Sequence, residues 1–175
     1  MAAGAPAATL ERVRRLLVVS LLLVALGCGG ERDAATVKRV LDGDTIVLGD
    51  GRHVRLVQLD APETDENECY ARAAKTVLSR LLPPGTHVRI ETDALLDEVD
   101  RFDRTLAYVW KDGTNINLEL VRAGAAAPWF FHGDQGRYAS DFLVTAREAR
   151  QRHRGLWSAC PGTMLAPLLA VAARR

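Results

Sequence analysis

The chain has 175 residues, of which 48% are hydrophobic and 26% are charged, so it has the composition of an ordinary one-domain globular protein rather than of a disordered chain. Its 23 basic and 22 acidic residues nearly cancel. This balance excludes a protein whose overall positive field draws it to nucleic acid or to anionic lipid.

The first 27 residues are typical of an export signal. Three arginines and one glutamate precede a 12-residue apolar segment, LLVVSLLLVALG, at positions 16–27. That segment is shorter than the roughly 20 apolar residues needed to span a bilayer. The pattern therefore predicts a signal peptide over residues 1–27 and an exported mature chain, in which 20 basic and 21 acidic residues remain.

The sequence ALGC, which ends at Cys28, resembles the signal of bacterial lipoproteins, in which this cysteine carries the lipid and becomes the new N-terminus. It departs from that pattern because Ala25 stands where leucine is expected. We expect a lipoprotein of the bacterial cell envelope, held to a membrane by a lipid anchor on Cys28. Ordinary secretion, with Cys28 as a free thiol, is the alternative.

Two cysteines remain once Cys28 is set aside, and they form a natural pair. In an oxidising compartment Cys69 and Cys160 are expected to form a disulfide. The bond would close a loop of roughly 90 residues and contribute about 4 kcal/mol by the loop-entropy model. Two buried free thiols are the alternative.

Residues 36–60, TVKRVLDGDTIVLGDGRHVRLVQLD, contain three β-rich runs separated by Asp-Gly and Gly-Asp-Gly breaks. This arrangement predicts consecutive hairpin strands. The third run carries apolar side chains on both faces, with Val54 and Leu56 on one face and Val57 and Leu59 on the other. Such a strand fits a curled sheet or a barrel with another element packed outside it.

The remaining segments add helices and two more strands. Helical spacing and a Pro-Pro-Gly stop predict a helix over 66–85. Two strands are predicted at 86–92 and 104–110. Two further helices are predicted at 115–124 and from Tyr138 to about His153. Five strands and about three helices predict an α+β fold built on a five-stranded OB-type β-barrel.

The domain boundaries follow from these elements. We assign residues 28–35 to a short linker and 36–160 to the folded domain. The apolar, proline-broken segment 161–175 is expected to be a poorly ordered tail rather than a membrane span.

Acidic and basic side chains along the chain supply what a phosphodiester hydrolase needs, which is a hard cation, cationic donors and a carboxylate beside water. Asp44 and Asp60 are short acids at strand ends, suited to a divalent ion. Glu63 could reach a water on that ion, and Arg55 and Arg104 lie in two predicted strands. Each residue alone also fits a turn, a cap or an ion pair. The combination favours phosphate chemistry.

Five segments resemble, in their order and spacing, the staphylococcal (thermonuclease-like) nuclease family. The resemblance covers about residues 36–158 and is carried by VKRVLDGDT (37–45), RLVQLDAPET (55–64), DRFDRTLAYV (100–109), NLELVRAG (117–124) and GLW (155–157).

The resemblance implies a calcium-dependent enzyme that cleaves DNA and RNA by attack of water on phosphorus and leaves 3′-phosphates. It also implies the roles of six residues: Asp44, Asp60 and the backbone carbonyl of Ala61 as Ca²⁺ ligands, Arg55 and Arg104 as catalytic arginines, and Glu63 as the catalytic glutamate.

Substrate contacts are expected from Arg101 and Phe102 and from Trp129 and Phe130. Phe102 can stack on a base but cannot hydrogen-bond a phosphate, as the tyrosine common in the family can, and Asp103 adds negative charge beside the second arginine. A plain core or rim role is the alternative for the WFF segment at 129–131.

Two functions therefore remain open from the sequence. The first is an active calcium-dependent nuclease on the cell envelope, acting on DNA or RNA. The alternative is a non-catalytic OB-fold module that binds nucleic acid or a protein there.

Overall fold

The structure, a computed structural model, describes residues 33–161. The predicted signal peptide, Cys28 and nearly all of the predicted tail lie outside the described residues. Among the residues described, no helix is long and apolar enough to cross a membrane.

Strands and helices alternate along the described residues. The strands are β1 (Asp33–Val40), β2 (Thr45–Leu48), β3 (His53–Leu56), β4 (Leu59–Asp60), β5 (His87–Glu91), β6 (Thr105–Lys111), β7 (Thr114–Asn115) and β8 (Ala127–Pro128). The helices are α1 (Ala71–Leu81), α2 (Ile116–Ala123), α3 (Ala139–Gln151) and the single turn α4 (Leu156–Ala159), with a 3₁₀ turn at Phe131–Gly133.

Five strands close into a barrel. Antiparallel pairing gives the order β3-β2-β1-β5-β6, and β6 then pairs in parallel with β3, where Val54 faces Thr105 and Leu56 faces Ala107. The closing pair leaves neither β3 nor β6 as an edge strand within the barrel. The predicted α+β fold with a five-stranded OB-type barrel is thus confirmed. The three predicted helices are present, and the described residues add one short helix, α4.

The first strand begins earlier than the sequence boundary suggests. Residues Asp33 to Thr36 pair with β5, with Asp33 opposite Ile90 and Thr36 opposite His87. Arg52 also forms an ion pair with Asp33. Residues 33–35, which the sequence analysis assigns to the linker, therefore belong to the barrel.

The third predicted run is broken in its middle. Gln58 has a positive φ of 66°, which turns the chain out of β3. Leu59 and Asp60 then pair with β8 instead of continuing the barrel, with Asp60 opposite Ala127. Asp60 consequently lies across a turn from Arg55 rather than along one strand with it.

The first helix starts five residues later than predicted. Asn67 and Tyr70 both have positive φ values, 53° and 75°, which helical geometry does not allow, so α1 begins at Ala71. Residues 64–69 form an exposed loop instead. At the end of this loop Cys69 is joined to Cys160 by a disulfide.

The hydrophobic core fills the barrel and continues beneath the three longer helices. The largest side chains with no exposure include Leu56 from β3, Leu78 from α1, Leu120 from α2 and Phe142 from α3. Burial of these side chains removes several hundred Å² of apolar surface from water, roughly 1.5–3 kcal/mol for each large residue.

Asn117 on α2 is the main polar group in this core. Its side-chain amide donates to the carbonyls of Val57 and Ala107, at 3.0 and 3.2 Å, and its Oδ1 accepts the N–H of Val109 at 2.9 Å. These three hydrogen bonds reach the end of β3 and β6, so Asn117 joins α2 to both sides of the β3–β6 closure. The closure fixes the strand ends that carry the candidate site.

Candidate active site

A cleft of about 610 Å³ lies beside the end of β3. Its lining includes most of the residues singled out from the sequence, namely Arg55, Glu63, Arg101, Phe102, Arg104 and Trp129. These residues come from four separate segments of the chain. Barrel closure therefore brings them to one surface.

Arg55 is the centre of this surface. One guanidinium nitrogen lies 2.7 Å from Oδ2 of Asp44, and the other donates to Oδ1 of Asp60 at 2.7 Å. The side chain is 12% exposed, and that of Asp44 is 3% exposed. Burial alone would lower the pKa of Arg55, but the carboxylates of Asp44 and Asp60 more than offset it and raise the pKa above its ordinary value.

The backbone around Asp44 explains why it is buried. Arg55 faces Thr45 across the β2–β3 pair, and Leu56 donates its N–H to the carbonyl of Asp44 at 2.8 Å. A Cβ added to Gly43 would lie 2.5 Å from the Cβ of Ala61. Only glycine fits this close approach, and it lets the turn carrying Asp44 pack directly against the segment that follows Asp60.

Both oxygens of the Asp44 carboxylate accept hydrogen bonds. Oδ2 accepts the N–H of Ala61 at 3.1 Å, and Oδ1 accepts the hydroxyl of Thr45 at 3.0 Å. Burial raises the pKa of Asp44 to about 7, against the opposing effect of Arg55. Burial likewise raises the pKa of Asp60. Two carboxylates thus share one guanidinium, and the cluster retains an excess of negative charge.

Glu63 lines the cleft close to this cluster. Its pKa is raised, first by burial and then by the negative charge of Asp42, while Arg55 lowers it. Pro62, which precedes it, is buried. The carboxylate is therefore a stronger base than a fully solvated glutamate and lies beside a guanidinium.

Arg104 lines the cleft and forms an ion pair with Asp100. Its Nε donates to Oδ2 of Asp100 at 2.7 Å, and Asp100 Oδ1 also accepts the backbone N–H of Arg104. Burial raises the pKa of Asp100, but the hydrogen bonds from Arg104 and the loop more than offset this and hold the pKa below its usual range. The described geometry thus brings one arginine, Arg55, to the two aspartates and pairs the other with Asp100.

Exposed aromatic rings border the cleft at two places. Phe102 is 62% exposed, and the Cζ atoms of Arg101 and Arg104 lie 4.6 and 5.3 Å from its ring centroid. Trp129 is 41% exposed, and its ring lies 5.4 Å from that of Phe131. Flat rings that face solvent beside arginines can stack on bases.

The structure corrects the prediction for Phe130. Phe130 is 3% exposed and belongs to the hydrophobic core, so it cannot stack on a base. Phe131 is 51% exposed and lines the cleft instead. The core alternative for the WFF segment therefore applies to its middle residue only.

Sequence reasoning missed three residues that shape the site. Asp42 accepts the N–H of Asp44 at 3.0 Å and acts on Glu63 through its charge, and its place in the Asp-Gly-Asp motif could have indicated this. Asp100 holds Arg104 at a spacing of four residues, which is also visible in the sequence. The third, Gln58, has no sequence signal.

Gln58 is a buried link between the cleft and the loop after β8. Its side chain donates to the carbonyl of Asp134 at 3.0 Å and accepts the N–H of Gly136 at 2.8 Å. Its backbone carbonyl accepts the N–H of Trp129 at 3.1 Å. Gln58 thereby fixes the segment that presents the Trp129 and Phe131 rings.

The acidic cluster offers oxygen atoms, which are the ligands that a hard cation prefers. Within residues 33–161, no group of three or more His, Cys, Asp or Glu side chains is arranged to hold a metal ion. Asp44 and Asp60 provide carboxylate oxygens on one guanidinium, and Ala61 follows directly with its backbone carbonyl. Calcium takes six to eight oxygen ligands, so such a site would need water or substrate oxygens as well. Two carboxylates and a carbonyl fit a site that stays open to substrate.

Comparison with known proteins gives a consistent set of similarities. A family model described as staphylococcal nuclease homologue matches residues 53–159. An "Uncharacterized endonuclease" of Escherichia coli O157:H7 is 39% identical over 128 residues, which cover 70% of this chain and 75% of the relative. Another from Haemophilus influenzae is 34% identical over 154 residues, covering 83% and 79%. The thermonuclease of Staphylococcus intermedius is 33% identical over 128 residues, covering 69% and 74%.

The raised pKa of Asp44 predicts a pH dependence of stability without divalent cations. The Asp44 carboxyl group binds its proton more tightly in the folded than in the unfolded state. Its contribution to the free energy of unfolding is therefore fully present below about pH 4 and is lost as pH rises towards 7. We expect Asp44→Asn to remove this fall, which for one group is at most about 1.4 kcal/mol per pH unit. Urea unfolding of both proteins in chelator from pH 4 to 8 measures it. Parallel curves for the two proteins would contradict the prediction.

Proposed function

The chain belongs to the staphylococcal nuclease family and is thus a phosphodiester hydrolase acting on nucleic acid, and we propose that it requires calcium and leaves 3′-phosphate ends. The observation that carries the proposal is the Arg55 guanidinium between Asp44 and Asp60, with Glu63 on the same cleft. Hydrolysis at phosphorus needs a site for the phosphate charge and a base for water, and this arrangement supports both.

Asp44, Asp60 and the carbonyl of Ala61 are the residues we assign to calcium. Calcium, when bound, would neutralise phosphate charge and orient water. Its positive charge would also relieve the repulsion between two carboxylates that share one arginine. The excess negative charge of the cluster therefore supports the metal assignment.

Arg55 and Arg104 are assigned to the phosphate. A guanidinium can donate two parallel hydrogen bonds to non-bridging oxygens, which lysine cannot do. Arg55 is fixed by two carboxylates, so its position is set before substrate arrives. Arg104 has more guanidinium N–H groups than the Asp100 carboxylate can accept from. The remaining N–H groups would donate to the phosphate.

Glu63 is assigned to the attacking water. Its raised pKa, due first to burial, makes the carboxylate a better proton acceptor. Its proximity to Arg55, which opposes that rise, supports neighbouring sites for the water and the phosphate. The non-catalytic module that the sequence left open has no specific observation in its favour, because the acid and arginine set is complete and the relatives are named as nucleases.

The mechanism predicts that Glu63→Gln lowers kcat on denatured DNA in excess calcium by roughly 10²- to 10⁴-fold, the range for loss of a general base. Chelation should abolish the wild-type activity, and phosphatase-sensitive 3′ ends should appear on the products. Initial rates and end-group analysis measure these effects.

Glu66→Gln is the matched control, since it removes an equal charge from the neighbouring exposed loop and should keep full activity. Full activity of Glu63→Gln would overturn the assigned base. Absence of wild-type cleavage with any divalent metal would favour the non-catalytic module instead.

The exposed rings predict a binding effect separate from chemistry. Replacement of Phe131 by Ala removes a stacking surface worth about 1–3 kcal/mol per base, so KM for single-stranded DNA should rise roughly 5- to 100-fold with little change in kcat. Steady-state kinetics checks this. Val144→Ala, which trims an exposed apolar residue on α3, should leave KM unchanged. An unchanged KM for Phe131→Ala would remove that ring from the substrate surface.

We also propose that the mature protein is a lipoprotein anchored through Cys28 in a bacterial envelope membrane. The support is the apolar segment at 16–27 and the following cysteine. Mass spectrometry of the N-terminal peptide from the native host should find diacylglycerol on Cys28. An unmodified terminus in the culture medium would instead indicate ordinary secretion.

A further inference from the structure

We propose that Glu68 is a positioning residue for Glu63, and that the Cys69–Cys160 disulfide fixes Glu68 to the body of the domain. The inference rests on the proposed catalytic role of Glu63. It adds two elements that act on that residue through the loop between β4 and α1, rather than on substrate.

The first support is a reciprocal pair of hydrogen bonds. The N–H of Glu63 donates to Oε2 of Glu68 at 2.7 Å, and the N–H of Glu68 donates to the carbonyl of Glu63 at 3.2 Å. These bonds close a six-residue loop and fix the backbone on which the Glu63 carboxylate is carried. Two reciprocal bonds between the same two residues restrain the backbone of an otherwise exposed loop.

The second support is that the other backbone hydrogen bonds of the loop are local, from the N–H of Asn67 to the carbonyl of Thr64 at 3.3 Å and from the N–H of Ala71 to the carbonyl of Glu68 at 3.2 Å. Residues 64–69 are all exposed, and the chain includes the unfavourable positive φ of Asn67. Such a segment is expected to open easily unless it is tied to the core. The tie that the structure provides stands at Cys69, one residue after Glu68.

The third support is the rigidity of the partner segment. Cys160 is buried, and its N–H donates to the carbonyl of Leu156 at 2.9 Å. Leu156 is also buried, and its N–H donates to the carbonyl of Gly124 at 2.8 Å at the end of α2. A Cβ on Gly155 would clash with the carbonyl of Gly124, so the two backbones are in direct contact there.

These contacts form a continuous connection from the core helix α2 through α4 and the disulfide to Glu68, and from Glu68 to Glu63. A displacement of about 1 Å of a catalytic group can cost on the order of 100-fold in rate. A loop anchored at both ends prevents such a displacement. The expected result of losing the anchor is a lower kcat with substrate binding retained.

The test compares two substitutions at Glu68 in excess calcium. Glu68→Ala removes the acceptor of the Glu63 N–H and should lower kcat roughly 10- to 100-fold with KM nearly unchanged. Glu68→Gln keeps an acceptor oxygen but removes the charge, and should stay within about threefold of wild type. Glu66→Ala removes the same charge from the same loop and should match wild type. Equal losses for Ala and Gln would show a role of charge and overturn the proposal.

A double substitution shows whether Glu68 acts through Glu63. In the Glu63→Gln background, Glu68→Ala should cause no further loss, because the group that it positions is already gone. Multiplied losses would indicate an independent role and overturn the proposal. If Glu63→Gln alone lowers kcat while Glu68→Ala does not, the catalytic role of Glu63 stands and only the positioning role fails.

Two readouts complete the test. Hydrogen exchange at the Glu63 amide, which needs no activity, should be faster in Glu68→Ala than in wild type. Cys69→Ser combined with Cys160→Ser should lower kcat by roughly 3- to 10-fold at a temperature where circular dichroism shows the barrel folded. Unchanged kcat in that folded variant would overturn the anchoring role of the disulfide.

Discussion

The site depends on one interaction, the bridge that Arg55 makes between Asp44 and Asp60. One positive and two negative charges lie together in a largely buried place. Removing each charge from water costs free energy, which pairing with an opposite charge offsets. With both carboxylates ionised the triad carries one more negative than positive charge, and burial raises the pKa of Asp44 against the opposing effect of Arg55. A cation that joined the cluster would relieve the same excess. The incompletely neutralised carboxylates that destabilise the triad alone are therefore also what supports the proposed binding of a cation there.

Barrel closure explains how distant residues reach the cleft. In the parallel β3–β6 pair, Arg55 faces Leu106, Arg104 directly precedes β6, and all three residues line the cleft. The two arginines thus share one cleft although almost 50 positions separate them. Asn117 holds this closure from α2, so a buried amide in the core supports the strand pair beside the cleft.

The sequence allowed the barrel to be predicted, because strand periodicity and turn residues are local signals. Asp44, Arg55 and Glu63 also lie in short motifs whose residue types fit one chemistry. The break at Gln58 and the late start of α1 were not predictable in this way, since both rest on positive φ values at ordinary residues. The choice between Phe130 and Phe131 failed for a related reason. It depends on which way a short irregular segment faces, and neither helical nor strand periodicity decides that.

The distribution of charge around the cleft indicates how a polyanion can approach a domain with no net positive field. The loop after Glu63 carries Asp65, Glu66 and Glu68, and a nucleic acid backbone along it would meet only repulsion. The segment with Arg101 and Arg104 is basic instead, and its guanidinium groups lie against the exposed ring of Phe102. On that side the arginines can bind phosphates and the ring can stack on bases. Local charge therefore does what the overall charge of the chain cannot, since it favours approach of a polyanion from the side of Arg101 and Arg104 and disfavours approach along the acidic loop.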